Sequence, residues 1–192
     1  MRRLSLEECI FYKEWLHLPK DQFNLLAMIA ASGGEFHGNL TDICNYLSIT
    51  PQSRNRNRIK DSINYLSSNG WIRCNKDGRT LLLALIPKET EISLPLEWVN
   101  LVIKHQYSEG VAWANVLKLY VWIVYNNGCI STNKEIAAEL NISESTVCSA
   151  KNVLTKEFEI ITKKNISEKI FDGTFRTLGQ IIEPSAWWNN TE

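Results

Sequence analysis

Two stretches of this chain obey the same local rule. Leu40-Thr41-Asp42-Ile43-Cys44-Asn45-Tyr46-Leu47-Ser48-Ile49-Thr50 and Asn133-Lys134-Glu135-Ile136-Ala137-Ala138-Glu139-Leu140-Asn141-Ile142-Ser143 each put Ile after an acid and Leu four residues after that Ile. A polar residue, a second Ile and a hydroxyl residue then follow. The first Ile and the Leu share one face of a short helix, and the hydroxyl residue can cap a second helix. A repeat of this kind constrains the fold more than any single propensity, because each copy must build the same supersecondary unit. The rule is that of a helix-turn-helix, written twice.

The flanking patterns extend the repeat. In the first half, Ile10, Phe11, Trp15 and Leu18 fall at helical spacing and predict a helix over 4–18, ended by Pro19. Asp21 is a candidate cap for a helix over 22–32, stopped by Ser32-Gly33-Gly34. A short helix over 40–47 comes next. Thr50 then caps a longer helix that has Pro51 in its first position and runs to Ser68, with Ile59, Ile63 and Leu66 inward. Trp71–Cys74 and Arg79–Ile86 flank Asn75-Lys76-Asp77-Gly78, a hairpin signal. Residues 87–93 read as a linker. In the second half a short helix is expected around 98–102, then an apolar helix over 112–126 at the centre of its domain. Thr132 or Asn133 caps a helix over 134–140, and Ser143 caps one over 144–157. Runs at 159–164 and 175–182 form a longer hairpin, followed by a tail with Trp187 and Trp188. The repeat offset falls from 93 to 88 residues between the short and long helices, which implies a five-residue insertion in the first half, within Pro51–Arg58. The expected class is α+β, mostly α with small β-hairpins, as two tandem domains over 1–88 and 89–192.

Composition permits this. The chain has 192 residues and 44% hydrophobic content, enough for one or two domains of roughly 100 residues. No apolar run approaches the ~18 residues of a membrane span, and the N-terminus lacks a secretory pattern, so a cytoplasmic, non-membrane protein is expected. Cys9, Cys44, Cys74, Cys129 and Cys148 are odd in number and widely spaced, with no Cys-x-x-Cys pair. They read as buried, reduced thiols, without a metal site. Phosphate-loop, nucleophile-elbow and zincin motifs are absent, and His17, His37 and His105 stand apart, so neither an enzyme nor a cofactor is expected.

Charge separates the halves although the net charge is zero. Residues 1–90 hold 12 Lys and Arg against 9 Asp and Glu, a balance of +3, and residues 91–192 hold 9 against 12, a balance of −3. The most basic segment is Ser53-Arg54-Asn55-Arg56-Asn57-Arg58-Ile59-Lys60. The second helix of a helix-turn-helix enters the major groove, where Arg matches guanine and Asn matches adenine. A 100° step puts Arg54, Asn57, Asp61 and Asn64 outward, flanks them with Arg58 and Lys60, and turns Arg56 toward the core side. Arg73, Lys76 and Arg79 around the first hairpin suit backbone or minor-groove contact. The second long helix offers Ser145, Ser149, Asn152 and Lys156 outward with Lys151 nearby, and its hairpin adds Lys163 and Lys164. Glu144, Glu157 and Glu159 lie close to these. DNA contact by the second half and a protein-interaction or dimerisation role, with Trp98, Trp187 and Trp188 as anchors, both remain open.

Leu94-Pro95, the Trp113–Val124 helix and the Thr132–Val147 segment resemble the helix-turn-helix of bacterial plasmid replication initiators and phage replisome organisers. Its core, Glu-Ile-Ala-x-x-Leu-x-Ile-Ser-x-Ser-Thr-Val, is shared by many bacterial regulators. The resemblance covers roughly 20–86 and 94–182. It implies two tandem winged helices that grip double-stranded DNA, in a replication initiator or transcription regulator of a mobile element. Such a protein would have a homodimer partner or a replication protein partner. The alternative is a protein–protein adaptor on the same scaffold, with the acidic half as the interaction domain.

Overall fold

A computed structural model of the protein describes residues 7–105, 107, 110–127, 129–169 and 175–184. In chain order the elements are β1 (Glu8–Tyr12), a 3-10 turn (Lys13–His17), α1 (Lys20–Ala31), β2 (Glu35–Gly38), α2 (Leu40–Tyr46), α3 (Ser53–Ser68), β3 (Ile72–Asp77), β4 (Thr80–Leu85), β5 (Glu91–Pro95) and α4 (Leu96–Lys104). Then come α5 (Trp113–Tyr125), β6 (Ile130–Ser131), α6 (Asn133–Leu140), α7 (Glu144–Asn152), a π-helical turn (Val153–Glu157), β7 (Ile161–Lys169) and β8 (Phe175–Pro184). The fold is α+β, with helices beside small antiparallel sheets. It divides into two compact units, Met1–His105 and Gln106–Glu192.

The repeat is present in three dimensions. Each unit runs helix, strand, helix, helix, strand, strand, and the sheet orders correspond, β2-β4-β3 and β6-β8-β7. The same capping chemistry starts both short helices. Asn39 accepts from the backbone N–H of Thr41 (2.7 Å) and Asp42, whose carboxylate accepts in return from the Asn39 N–H at 2.7 Å. Thr132 and Glu135 form the equivalent reciprocal pair. Both helices end on a residue with left-handed backbone, Ser48 (φ 55°) and Asn141 (φ 53°). In both the next amide reaches back into the helix, Ile49 to the Cys44 carbonyl (2.9 Å) and Ile142 to the Ala137 carbonyl (3.0 Å).

The insertion is resolved by burial. Ile59, Ser62, Ile63 and Leu66 are buried on α3, and Val147, Ala150, Lys151 and Leu154 are buried on α7 and its π-helical continuation, each 88 residues later. The turn residues Ile49 and Ile142 are 93 apart. The expected cap at Thr50 and first helical position at Pro51 are corrected, because α3 begins at Ser53 behind Gln52, which gives no side-chain cap. The Thr50 carbonyl instead accepts from the Gln52 N–H and from Asn55 Nδ2, both at 2.8 Å. From Gln52 to the first buried residue, Ile59, is seven positions, while from Ser143 to Val147 is four. Two inserted residues therefore lengthen the turn, and three extend α3 at its N-terminal end, the end that carries Arg54 and Arg56.

Several expectations are overturned. The helix expected over 4–18 is, among the described residues, a strand (Glu8–Tyr12) and a 3-10 turn (Lys13–His17). Cys9 and Phe11 are buried, and β1 pairs antiparallel with β5, from Glu8↔Pro95 to Tyr12↔Glu91. Short apolar runs fit either period, and here a distant strand supplies the backbone partners. The linker over 87–93 thus contains the start of β5, and the first unit reaches His105 instead of ending at residue 88. Trp98, Val99, Val102 and Ile103 of α4 are buried, and Tyr46 Oη donates to Asn100 Oδ1 (3.2 Å), so Trp98 is a core side chain of the first unit and not an interface anchor. Lys88 closes the loop before β5 by donating to the Gly70 carbonyl (2.8 Å) over the Trp71 ring. The Trp187-Trp188 tail lies outside the described residues. Asp21 does not cap α1, because its carboxylate is turned to α3. Of the thiols, Cys9 and Cys44 are buried and Cys74 half-buried, but Cys129 and Cys148 are exposed.

The second unit buries two amines. Lys118 sits at 2% exposure on α5, with Nζ donating to the Leu140 carbonyl (3.4 Å) at the end of α6. Lys151 was expected near the surface of the long helix but is 3% exposed, its Nζ donating to Asn133 Oδ1 (2.6 Å) and Gln180 Oε1 (3.0 Å). Burial lowers each ammonium from 10.5 to about 8. Among the described residues no helix is long and apolar enough to cross a membrane.

Candidate nucleic-acid interface

The first unit carries a concave groove of about 830 Å³ between α3, the start of α2 and the β3–β4 hairpin. Arg56, Lys60 and Asn64 enter it from α3, one helical turn apart along a single stripe. From the hairpin come Cys74, Lys76, Gly78, Arg79 and Leu81. Strand alternation places Cys74 and Lys76 on the groove face, with Lys76 opposite Leu81 in register. Gly78 takes positive φ (57°) at the hairpin turn beside Arg79. Asn39, Leu40 and Thr41 close the remaining side. The described lining holds four cations and no carboxylate. Opposite-sign groups are thus missing from the wall itself, the exposed Asp42 and Asp77 standing beside lining residues but outside the lining.

The basic helix start divides three ways. Arg56 is corrected from the core side to the groove; it is exposed, and its Nη2 donates to Thr41 Oγ1 at 3.0 Å. Its proximity to α2 is felt by Cys44, whose thiol is raised by burial and partly lowered again by the Arg56 charge. Arg58, expected to flank the reading face, is exposed there and paired within the chain. It makes a fork with Asp21, with Nη2 at 2.6 Å and 2.7 Å from the two carboxylate oxygens and Nε at 3.1 Å. Arg54 and Asn57 are exposed on the outward face with Asp61, outside the groove lining. Asn55 is half-buried and committed to Thr50. Arg73 is exposed, but the strand period keeps it out of the lining.

Thr41 and Asn39 line this groove and were not among the candidate site residues offered by the sequence. The Asn39-x-x-Asp42 spacing carries a capping-box signal that locates Thr41 on the first turn of α2. Nothing local signals that Asp21 takes Arg58, since the two are 37 positions apart.

The equivalent surface of the second unit has different chemistry. The 88-residue offset of buried positions puts Glu144, Cys148 and Asn152 where α3 has Arg56, Lys60 and Asn64. Cys148 Sγ accepts from Asn133 Nδ2 at 3.0 Å. Ser145 and Ser149, with Thr146, line a separate polar cleft of about 260 Å³ against Gly110–Ala112 and Asn115, which no cation lines among the described residues. Asn152 is half-buried. Lys156 is exposed on the π-helical turn, whose wider step takes it off the α-helical stripe expected for it. Lys163 and Lys164 are exposed on opposite faces of β7. Among the described residues no cluster of three or more His, Cys, Asp or Glu is arranged to hold a metal ion.

No family model matches the chain, and no curated protein is significantly similar to it.

Proposed function

We propose that the protein is a tandem winged-helix, non-enzymatic DNA-binding protein whose first unit grips double-stranded DNA. In this reading α3 is the major-groove helix, the β3–β4 hairpin is the wing, and the groove between them receives the phosphodiester backbone. One observation carries it. Arg56, Lys60, Lys76 and Arg79 converge from two different elements on one concavity without an acid in its described lining. A solvated helix face has no reason to oppose its cations to those of a hairpin, because their mutual repulsion raises the energy of the folded state. The cost is recovered when a polyanion fills the space. Role and setting are carried as for the resemblance, a cytoplasmic replication initiator or transcription regulator of a mobile element.

The second unit is read differently. Glu144 at the place of Arg56 and Cys148 at the place of Lys60 make its helix face a poor phosphate acceptor. That supports a protein-contacting role for this unit, as a dimerisation or replication-partner module.

The test is duplex binding at low salt by the full chain and by an Arg56→Ala/Lys60→Ala variant with unchanged melting temperature. Binding by the parent and a loss of about tenfold or more in the variant are expected. An absence of duplex binding by the parent, or equal binding by both proteins, sinks the proposal.

A further inference from the structure

We propose that Thr41 is a specificity-determining positioning residue, which holds the Arg56 guanidinium in one orientation so that it reads a guanine. This rests on the duplex-DNA reading of the groove.

The chain of support runs through backbone and side chain. The Asn39 side chain accepts from the Thr41 N–H at 2.7 Å, and Asp42 closes the box on the Asn39 N–H at 2.7 Å, so the first turn of α2 is anchored. Thr has only two favoured χ1 positions in a helix, and the one adopted here turns Oγ1 to α3. Thr41 Oγ1 is therefore a fixed acceptor, and Arg56 Nη2 donates to it at 3.0 Å from an exposed side chain in the groove wall. A guanidinium has five N–H donors in one plane. One bond to the protein sets that plane and leaves the remaining donors for a ligand. Guanine offers O6 and N7 as two acceptors that such a fork matches. Ordering a long side chain before binding removes an entropic cost from the bound state.

The bond is not a requirement of the fold. The second unit builds the same helix-turn-helix with Lys134 at the position of Thr41, by the 93-residue offset of α2 and α6, and Glu144 at that of Arg56. The second unit thus folds without an arginine held by a hydroxyl at this place.

The experiment is site selection from a random duplex library with the parent, Thr41→Val, Thr41→Ser and Arg56→Lys, together with the salt dependence of binding for each. Thr41→Val keeps shape and removes the acceptor, Thr41→Ser keeps it, and Arg56→Lys keeps charge and removes the fork. Thr41→Val and Arg56→Lys are expected to lose a G·C preference of about tenfold or more at one shared base pair. Thr41→Ser is expected to retain it, and all four proteins to share one salt slope. Thr41→Ala is carried in parallel, so that poor folding of the valine variant does not remove the comparison. The positioning role is overturned if Thr41→Val and Thr41→Ala select as the parent does, if Thr41→Ser loses the preference, or if the affected base pair differs from that of Arg56→Lys. Parent protein that binds no duplex at low salt overturns the groove reading itself, a result distinct from these.

Discussion

Replacing Lys76 and Arg79 together with alanine should halve the salt dependence of duplex binding. The groove presents four cations, two from α3 and two from the hairpin. If each cation brought against the duplex releases about one condensed counterion, Arg56 at its base edge included, log K falls with log salt at a slope of about −0.9 per cation, or about −3.6 in all. Between 50 and 200 mM salt the parent would then lose about 150-fold in affinity and the double variant about 12-fold. Fluorescence anisotropy of a labelled duplex titrated at several salt concentrations gives both slopes. The hairpin is exposed at both positions, so the substitutions leave the core intact. Arg58→Ala is the internal control, because its fork is committed to Asp21 and its removal should leave the slope at the parent value. A double variant with the parent's slope, or a loss in Arg58→Ala equal to that of a groove residue, would show that the hairpin and α3 do not act on one backbone.

Two further outcomes concern stability. Lys118 is held at about 8 in the folded chain against an ordinary 10.5, so between those values the unfolded chain binds a proton that the folded chain does not. Stability from this group therefore rises with pH across that window, and the cost of about 3 kcal/mol is in full force below pH 8. Lys118→Met should be more stable than the parent by about 1–3 kcal/mol at pH 7, after about 1 kcal/mol is lost at the Leu140 carbonyl, and the difference should shrink by pH 10. Urea unfolding at the two pH values reads this; a pH-independent difference contradicts it. Ser48 holds left-handed backbone that serine adopts at a cost, so Ser48→Gly should add about 0.5–1 kcal/mol, or about 1–4 °C in Tm by calorimetry. Asn141→Gly should gain less, since Asn tolerates that region. Equal or negative shifts at Ser48 would mean that the turn's strain is relieved elsewhere.

Local chemistry made much of this chain readable from its residues. The doubled motif, the caps at Thr132 and Ser143, the Ser32-Gly33-Gly34 stop and the Asp77-Gly78 turn act over a few positions and appear where their spacing puts them, while the caps expected at Asp21 and Thr50 do not form. The five-residue insertion was countable from the repeat, and the basic character of its helix was plain. What local pattern cannot carry is a partner far along the chain. β1 became a strand because β5 lies beside it across some 80 positions, and α4 joined the first unit for the same reason. Asp21 was equally able to cap a helix or bind an arginine, and the packing of α1 on α3 selected the arginine. The 100° rule gave Arg56 an edge position on α3 without saying that α2 and the hairpin stand beyond that edge. Lys151 has the composition of a surface residue, and its burial follows from two amide oxygens on other elements. Sequence alone therefore determined the repeated unit and the sign of its charge, since both depend on residue identity and short spacing. Tertiary structure decided which charges face outward together, because that depends on which elements meet.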